Sequence, residues 1–175
     1  MKLTTQLIAL TLLLLTAGVG AEEKPMETVP QVDLPRFMGD WYVIANIPTF
    51  IEKGAHNAVE SYALNPDGTI ATTFRFRKGA FDGPEKVYHP TGFVVPNTGN
   101  ALWGMQFIWP FKAEYKVIWL DPEYSITVIG RTARDYVWVM ARKPEIPETK
   151  LTEIMAFLKA VGYDTALVQR VPQRW

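Results

Sequence analysis

The fold is decided by the stretch Gly39-Asp40-Trp41-Tyr42-Val43-Ile44-Ala45-Asn46-Ile47. Its glycine allows the backbone to turn sharply just before the bulky indole of Trp41, and the β-branched and aromatic residues that follow favour an extended strand. Far along the chain, a second apolar run, 135–142, ends in Arg142. An arginine above an indole makes a cation–π contact of roughly 0.5 to 2 kcal/mol. We therefore expect Arg142 to join the last strand to the first.

The composition favours one globular domain with an apolar or neutral partner. The chain has 175 residues, of which 48% are hydrophobic and 13% aromatic, enough to bury a sizeable core. Basic and acidic residues number 18 each, so no basic field indicates a nucleic acid and no acidic field indicates a cationic partner. We expect a small hydrophobic or amphiphilic ligand, transient membrane contact, and a monomer or homodimer.

The N-terminal residues predict export. Lys2 precedes an apolar run, 7–15, and small residues follow at 17–21, which is typical of a signal peptide over 1–21 that is cut before Glu22. The apolar run is too short for a membrane span. The chain contains no cysteine, which excludes disulfides, a thiolate nucleophile and a lipid-modified cysteine at the cleavage point. We expect a soluble periplasmic or secreted protein without a lipoprotein anchor.

Eight runs with a period of two follow one another, separated by turn sequences such as Asn65-Pro66-Asp67-Gly68. The predicted strands cover 40–47, 57–64, 69–77, a longer strand that ends at 95, 101–108, 112–120, 124–129 and 136–141. Pro90, inside the fourth run, indicates an edge, a bulge or a break. Because eight consecutive antiparallel strands can close on themselves and remove their unpaired edges, we expect an all-β, eight-stranded β-barrel.

Shorter elements complete the predicted barrel domain, 34–175. The period becomes helical at about 147–161, where an apolar stripe predicts one C-terminal α-helix packed outside the barrel. After it, 166–171 is apolar enough for a last short strand. At the start of the domain, 35–38 is equally consistent with a helical turn that plugs the barrel and with a loop. Residues 22–33 are polar and predict an extended leader.

Large aromatic or flexible apolar side chains fall on the face that alternation places inside the barrel. These interior candidates for ligand binding are Tyr62, Phe74, Phe76, Trp103, Met105, Phe107, Tyr115, Val117, Trp119, Trp138 and Met140. The last run, 136–141, is apolar on both faces, so alternation leaves open whether Trp138 and Met140 or Val137 and Val139 point inward. Periodicity is equally consistent with side chains that fill the core and with a cavity that holds one small ligand.

The loop after the first strand carries two large apolar residues, Phe50 and Ile51, which predict a lid or a mouth. Glu60 shares the parity of Tyr62 and is expected to face the interior. Two positions suit its carboxylate: contact with an amphiphile's headgroup at the mouth, or exposure to solvent at the rim. The sequence favours the solvated position at the rim.

The motifs resemble those of one family. Gly39 and Trp41 form the Gly-x-Trp signature of the lipocalins at the start of the first barrel strand, and 120–124 and 134–144 are similar to the second and third lipocalin motifs. The form is closest to the bacterial lipocalins with their apolipoprotein D and plant temperature-induced relatives. The resemblance covers 34–171. Well-known bacterial members carry a lipid anchor on an N-terminal cysteine, which this chain lacks.

The resemblance implies an up-and-down barrel that is open at one end and carries fatty acids, lysophospholipids or similar amphiphiles. It also implies that Arg142 packs over Trp41 at the closed end, in a structural role. The expected function is therefore binding and transport or storage of a small hydrophobic ligand in the cell envelope.

Little in the sequence indicates catalysis. His56 and His89 are the only two histidines, and the chain has no Gly-x-Ser-x-Gly elbow, phosphate loop or metal-spaced cluster. We expect no catalytic residues, no metal and no cofactor. Two alternatives stay open: an isomerase or hydrolase, which needs a polar pair at the cavity floor involving Glu60 or His56, and a ligand-free stress-protective envelope protein with a filled barrel.

Overall fold

The structure, a computed structural model, describes residues 25–175. The expected signal peptide, 1–21, and the first three residues of the expected leader lie outside the described residues. The strands are β1 Gly39–Ile47, β2 Ala55–Leu64, β3 Thr69–Lys78, β4 Glu85–Tyr88, β5 Thr91–Val94, β6 Leu102–Ile108, β7 Phe111–Leu120, β8 Ile126–Gly130, β9 Val137–Ala141 and β10 Gln169–Arg170. The α-helices are α1 Leu34–Phe37 and α2 Glu148–Ala160, and a short 3₁₀ turn covers Thr165–Leu167.

The strands form one closed antiparallel barrel. Neighbours in sequence pair with one another, and β9 pairs back with β1. β4 and β5 both pair with β3 and are two halves of one strand, interrupted at His89 and Pro90. Proline has no N–H for the ladder, although its carbonyl accepts a hydrogen bond from Thr72 N at 3.1 Å. The predicted eight-stranded barrel is confirmed. Of the edge, bulge or break expected at Pro90, the structure has a break.

Hairpin connections alternate between the two ends of the barrel. We call the end with loops 48–54, 79–84, 109–110 and 131–136 the upper end, and the opposite end the lower end. Helix α1 lies across the lower end and begins with Asp33 as its N-cap. Its buried residue, Phe37, is fully inaccessible to solvent. The proposed helical turn is therefore present, and it closes the lower end.

Helix α2 packs on the outside of the barrel, as predicted. Its buried side chains, Leu151, Ile154 and Leu158, belong to an apolar cluster with outward-facing residues of β1, β7, β8 and β9. Val137 and Val139 lie in this outer cluster, so β9 directs its valines toward the helix. Among residues 25–175, no helix is long and apolar enough to cross a bilayer.

A β-bulge in β7 moves one predicted interior residue to the outside. Val117 pairs with Ile129 and Trp119 pairs with Val128, so β7 carries one residue more than β8 at this point. Ile118 and Trp119 consequently both pack in the outer cluster, because an extra residue reverses the alternation. The prediction that Trp119 faces the interior is wrong for this reason.

The short strand β10 lies between the upper halves of β1 and β2. The lower half of β1 pairs with β2, whereas Ala45 and Asn46 pair with β10. Val171 N donates to Ile44 O at 2.9 Å, and Asn57 N donates to Pro172 O at 2.8 Å. The predicted final strand is thus present, and it completes the barrel wall.

Candidate functional site

The lower end is held by Arg142. Its guanidinium lies 3.8 Å from the centre of the Trp41 ring, and its Nη1 donates to Asp40 O at 2.9 Å. Its Nη2 donates to the carbonyls of Arg36 at 2.8 Å and Phe37 at 3.1 Å. The indole Nε1 of Trp41 also donates to Phe37 O, at 2.8 Å. The expected structural role of Arg142 is present, and it extends to the helix that closes the barrel.

Aromatic rings fill the barrel immediately above this closure. Phe37 packs against Trp41, Tyr62 and Trp103 with ring centroids 5.0, 5.8 and 5.5 Å apart. Tyr115 stacks on Trp103 at 4.9 Å. Rings in such contact hold one another in place, so the lower third of the interior is a packed aromatic floor.

Most of the predicted interior residues lie together on the inner wall. The buried ones are Tyr62, Phe74, Phe76, Trp103, Met105, Tyr115, Val117 and Met140. Trp138 is partly buried against the same cluster. On β9 it is therefore Trp138 and Met140 that point inward, which answers the question that alternation left open. Their contact with a ligand stays a prediction.

The structure places Phe107 outside this interior. The pairing of β6 with β5 ends at Gln106, and the β6–β7 register shifts between Met105 and Ile108. Phe107 is 49% exposed as a result, because it follows the point where β6 leaves the barrel wall. Alternation within one run could not reveal where the neighbouring strand stops.

Residues 107–111 form what we call the aromatic tip, at the upper end. Ile108, Trp109 and Phe111 are 73%, 81% and 76% exposed. Phe50, in the loop after β1, is 81% exposed at the same end, and Ile51 beside it is half-buried. Trp109 and Phe111 fall in the connection between the predicted strands 101–108 and 112–120, although two aromatic residues around a proline were a usable signal.

The upper-end loop is tied to the interior by Glu52. This buried carboxylate accepts hydrogen bonds from Thr49 N at 2.9 Å, from Thr49 Oγ1 at 2.6 Å and from Trp138 Nε1 at 2.7 Å. A cavity of about 190 Å³ lies beside it, where the loop meets β2 and β10. Nothing in the loop sequence distinguished Glu52, because its indole partner comes from a distant strand.

Glu60 lies deep in the barrel and not at the rim. It is opposite Trp41 on β1 and Phe74 on β3, in the lower half of β2. Its Oε2 accepts a hydrogen bond from the hydroxyl of Tyr62, whose oxygen is 2.7 Å from the hydroxyl of Tyr115. We call Glu60, Tyr62 and Tyr115 the polar triad. The prediction of a solvated rim position is wrong, because β2 enters the barrel five residues earlier.

Burial raises the pKa of Glu60 from 4.5 to about 7. The hydrogen bond from Tyr62 opposes this rise, and the charge of Glu52 adds to it. Burial also raises the pKa of both tyrosines, with a further contribution from Glu60. Glu60 is enclosed by protein on all sides yet keeps some accessible surface.

The histidines lie away from the polar triad. His56 has its Nδ1 3.1 Å from Gly54 O and its ring against Phe81, at the upper end. His89 contacts Thr73 at 3.3 Å. Within the described part of the chain, no group of three or more His, Cys, Asp or Glu residues is placed to hold a metal ion. The polar triad is therefore the titratable cluster that the interior brings together.

Known proteins are similar to this chain in sequence and in fold. The family model described as a lipocalin-like domain matches residues 32–173. Temperature-induced lipocalin-1 of Arabidopsis thaliana is 30% identical over 164 residues, covering 87% of this chain and 85% of that protein. Outer membrane lipoprotein Blc of Escherichia coli (strain K12) is 28% identical over 171 residues, covering 95% and 94%. The sequence motifs had indicated both of these groups, the plant temperature-induced lipocalins and the bacterial lipocalins.

A solved structure supports the architecture independently. Insecticyanin from the tobacco hornworm Manduca sexta matches with a TM-score of 0.67 at 13% identity, covering 85% of this chain and 84% of that one. At that identity the match concerns the fold alone. Together with the three motifs, the closed barrel and the family model, it leads to one conclusion: this chain belongs to the lipocalin family.

Proposed function

We propose that this protein binds and carries small hydrophobic ligands, with fatty acids or lysophospholipids first among them, in the cell envelope. The observation that carries the proposal is the continuous apolar inner wall, to which β1, β2, β3, β6, β7, β8 and β9 contribute buried side chains. Lipocalins as a family bind small hydrophobic ligands. Burial of an acyl chain against such a wall removes its methylenes from water, at about 0.8 kcal/mol each.

For the location we propose an exported protein, periplasmic or secreted after removal of residues 1–21. The bacterial relative is named an outer membrane lipoprotein, which supports an envelope location. For the domain organisation we propose a leader over 22–33 and a lipocalin domain over 34–175. The family model, which spans residues 32–173, supports a single domain over most of the chain.

We further propose that the aromatic tip contacts a lipid bilayer transiently. Ile108, Trp109 and Phe111 present their side chains to solvent at the upper end, and Phe50 lies at the same end. Tryptophan and other aromatic residues favour the membrane–water interface. Each large apolar side chain gains roughly 1.5 to 3 kcal/mol when fully buried, against an association cost of about 4 to 15 kcal/mol. Three or four such residues therefore give weak, reversible attachment.

The test of carriage is purification without detergent from the compartment where the protein accumulates, followed by organic extraction and mass spectrometry. We expect a near-stoichiometric fatty acid or lysophospholipid. An empty extract, together with no quenching of the six tryptophans by added lysolipid, would overturn the proposal in favour of a ligand-free protein with a filled barrel.

The test of bilayer contact is co-sedimentation with phosphatidylcholine vesicles. Trp109→Ser should reduce the bound fraction severalfold. Trp175→Ser is the matched control, because Trp175 is 64% exposed but packs against Tyr42 near the lower half of β1. Equal binding of the two variants would contradict a role for the aromatic tip.

The polar triad favours one second candidate function, an isomerase or hydrolase that works inside the barrel. A carboxyl group with a pKa of about 7 is suited to proton transfer at neutral pH. Glu60→Gln would then abolish turnover of a bound ligand and leave its binding intact. Lipocalins are generally binding proteins, so carriage is the function that we propose first.

A further inference from the structure

The inner wall carries two carboxyl groups that form no ion pair within residues 25–175. Glu52 and Glu60 both reach the interior, and in the described residues no lysine or arginine pairs with Glu60. At the floor, Arg142 lies against the Trp41 ring, and its guanidinium donates to four backbone carbonyls. Above the pKa of Glu60, such an interior offers a hydrogen-bond acceptor with no protein donor assigned to it.

The hydrogen bonds of the polar triad run in one direction. The single proton of the Tyr62 hydroxyl goes to Glu60 Oε2, so Tyr115 donates its own proton to Tyr62. Both phenols are thereby satisfied. The second carboxyl oxygen, Glu60 Oε1, has no hydrogen-bond partner within residues 25–175, and it is not among the fully buried unpaired atoms. It is therefore accessible from inside the barrel.

A plain hydrocarbon end placed against this oxygen would leave it without water and without a donor. A buried acceptor that loses its hydrogen bonds is costly. Glu60 lies five residues along β2 from Ala55 at the upper end, a distance of roughly 16 Å at about 3.3 Å per residue. A medium-length chain that enters from the upper end thus brings its far end to Glu60.

We propose that Glu60 Oε1 accepts a hydrogen bond from the buried end of the ligand, so that the barrel selects amphiphiles whose inserted end carries a hydroxyl or a similar neutral donor. This inference rests on the proposed carriage in the barrel, and it adds a second recognition point at the floor. Tyr62 positions the carboxyl group, and Tyr115 positions Tyr62.

The test compares two probes that differ only at the far end, dodecanoic acid and ω-hydroxydodecanoic acid. Their affinities are measured by calorimetry and by quenching of the tryptophans. For the native protein we expect the hydroxylated chain to bind at least as tightly as the plain chain. In Glu60→Leu, which removes the acceptor, the preference should shift toward the plain chain by about tenfold or more, because a buried hydroxyl then lacks a partner.

Two further variants separate hydrogen bonding from general damage. Glu60→Gln keeps the shape of the side chain, but its one carbonyl oxygen accepts from Tyr62 and its NH2 group donates where Oε1 lies, so it should lose most of the native preference without a change in packing. Phe50→Ser alters the upper end and should change both affinities alike. If both probes bind and Glu60→Leu leaves their ratio unchanged, the inference is overturned and carriage stands. If neither probe binds the native protein, the proposed carriage falls, and the inference falls with it.

Discussion

At the scale of single residues, Arg142 makes the most concentrated set of contacts. Arg142→Met removes the cation–π contact with Trp41 and the charged donor to the carbonyls of Asp40, Arg36 and Phe37. We expect a loss of roughly 2 to 4 kcal/mol in the free energy of unfolding, measured by urea denaturation. The stability of Arg142→Lys should lie between those of the native protein and Arg142→Met, because lysine keeps the charge but lacks the planar guanidinium group that donates several hydrogen bonds.

The matched control for Arg142 is Arg170→Met. Arg170 pairs with Glu148 on the surface, and exposed ion pairs contribute little to stability. Arg170→Met should therefore be nearly neutral. An Arg142→Met protein as stable as this control would show that the lower end is held by aromatic packing alone.

The raised pKa of Glu60 predicts that the stability of the protein depends on pH in a specific way. Its pKa is about 7 in the folded protein and near its ordinary value in the unfolded chain, so the folded state binds one more proton between these two values. Stability therefore decreases as pH rises through this window, by up to roughly 3 kcal/mol, and the decrease is complete above the folded pKa.

Glu60→Gln removes this titration. We expect the stability of the native protein relative to Glu60→Gln to fall steadily from about pH 4.5 to about pH 8, in urea unfolding at closely spaced pH values. Other carboxyl groups titrate in both proteins and cancel in the difference. Parallel curves across the window would mean that Glu60 is not enclosed as the structure has it.

At the scale of elements, periodicity and turn chemistry were sufficient for the barrel strands, the outer helix and the break at Pro90. They were insufficient wherever pairing partners decide the outcome. Trp119 is turned outward by a bulge, and Phe107 is exposed because β5, its neighbour, begins only at Thr91, opposite Gln106. A run of alternating residues contains no information on the length of its neighbour.

The sequence predicted some residues of the candidate site and missed others. The buried interior residues follow from alternation along single strands. Glu52 and the polar triad depend instead on side chains from different strands that meet only in the closed barrel. Parity placed Glu60 inside, but its depth depends on register, which the sequence of β2 alone does not specify.

The C-terminal segment offers a test at this scale, since β10 completes the wall between β1 and β2. Deletion of 169–175 removes the hydrogen bonds of Val171 and Pro172 and those that Gln173 Nε2 donates to Val43 O and Ala58 O. We expect a loss of roughly 2 to 4 kcal/mol in stability and faster amide exchange at Asn57. Deletion of Trp175 alone is the control. Unchanged exchange after the longer deletion would show that β1 and β2 close the wall without β10.

At the scale of the whole molecule, carriage is a competition between the barrel and the bilayer. An acyl chain of about 16 carbons gains on the order of 13 kcal/mol gross on leaving water, against about 4 to 15 kcal/mol for the freedom lost on association. In a bilayer the same chain is already out of water. Transfer from the membrane into the barrel is therefore nearly balanced, and its direction follows the concentrations on each side.

Reversible exchange is the prediction that follows. Protein loaded with a fluorescent lysophospholipid should release it to an excess of phosphatidylcholine vesicles, with a rate that rises with vesicle concentration if contact with the bilayer precedes transfer. Trp109→Ser should slow release severalfold and leave the final partition unchanged, because the aromatic tip acts on the encounter and not on the bound state. Trp175→Ser should transfer at the native rate. A loaded protein that kept its ligand against excess vesicles would be a storage protein and not a carrier.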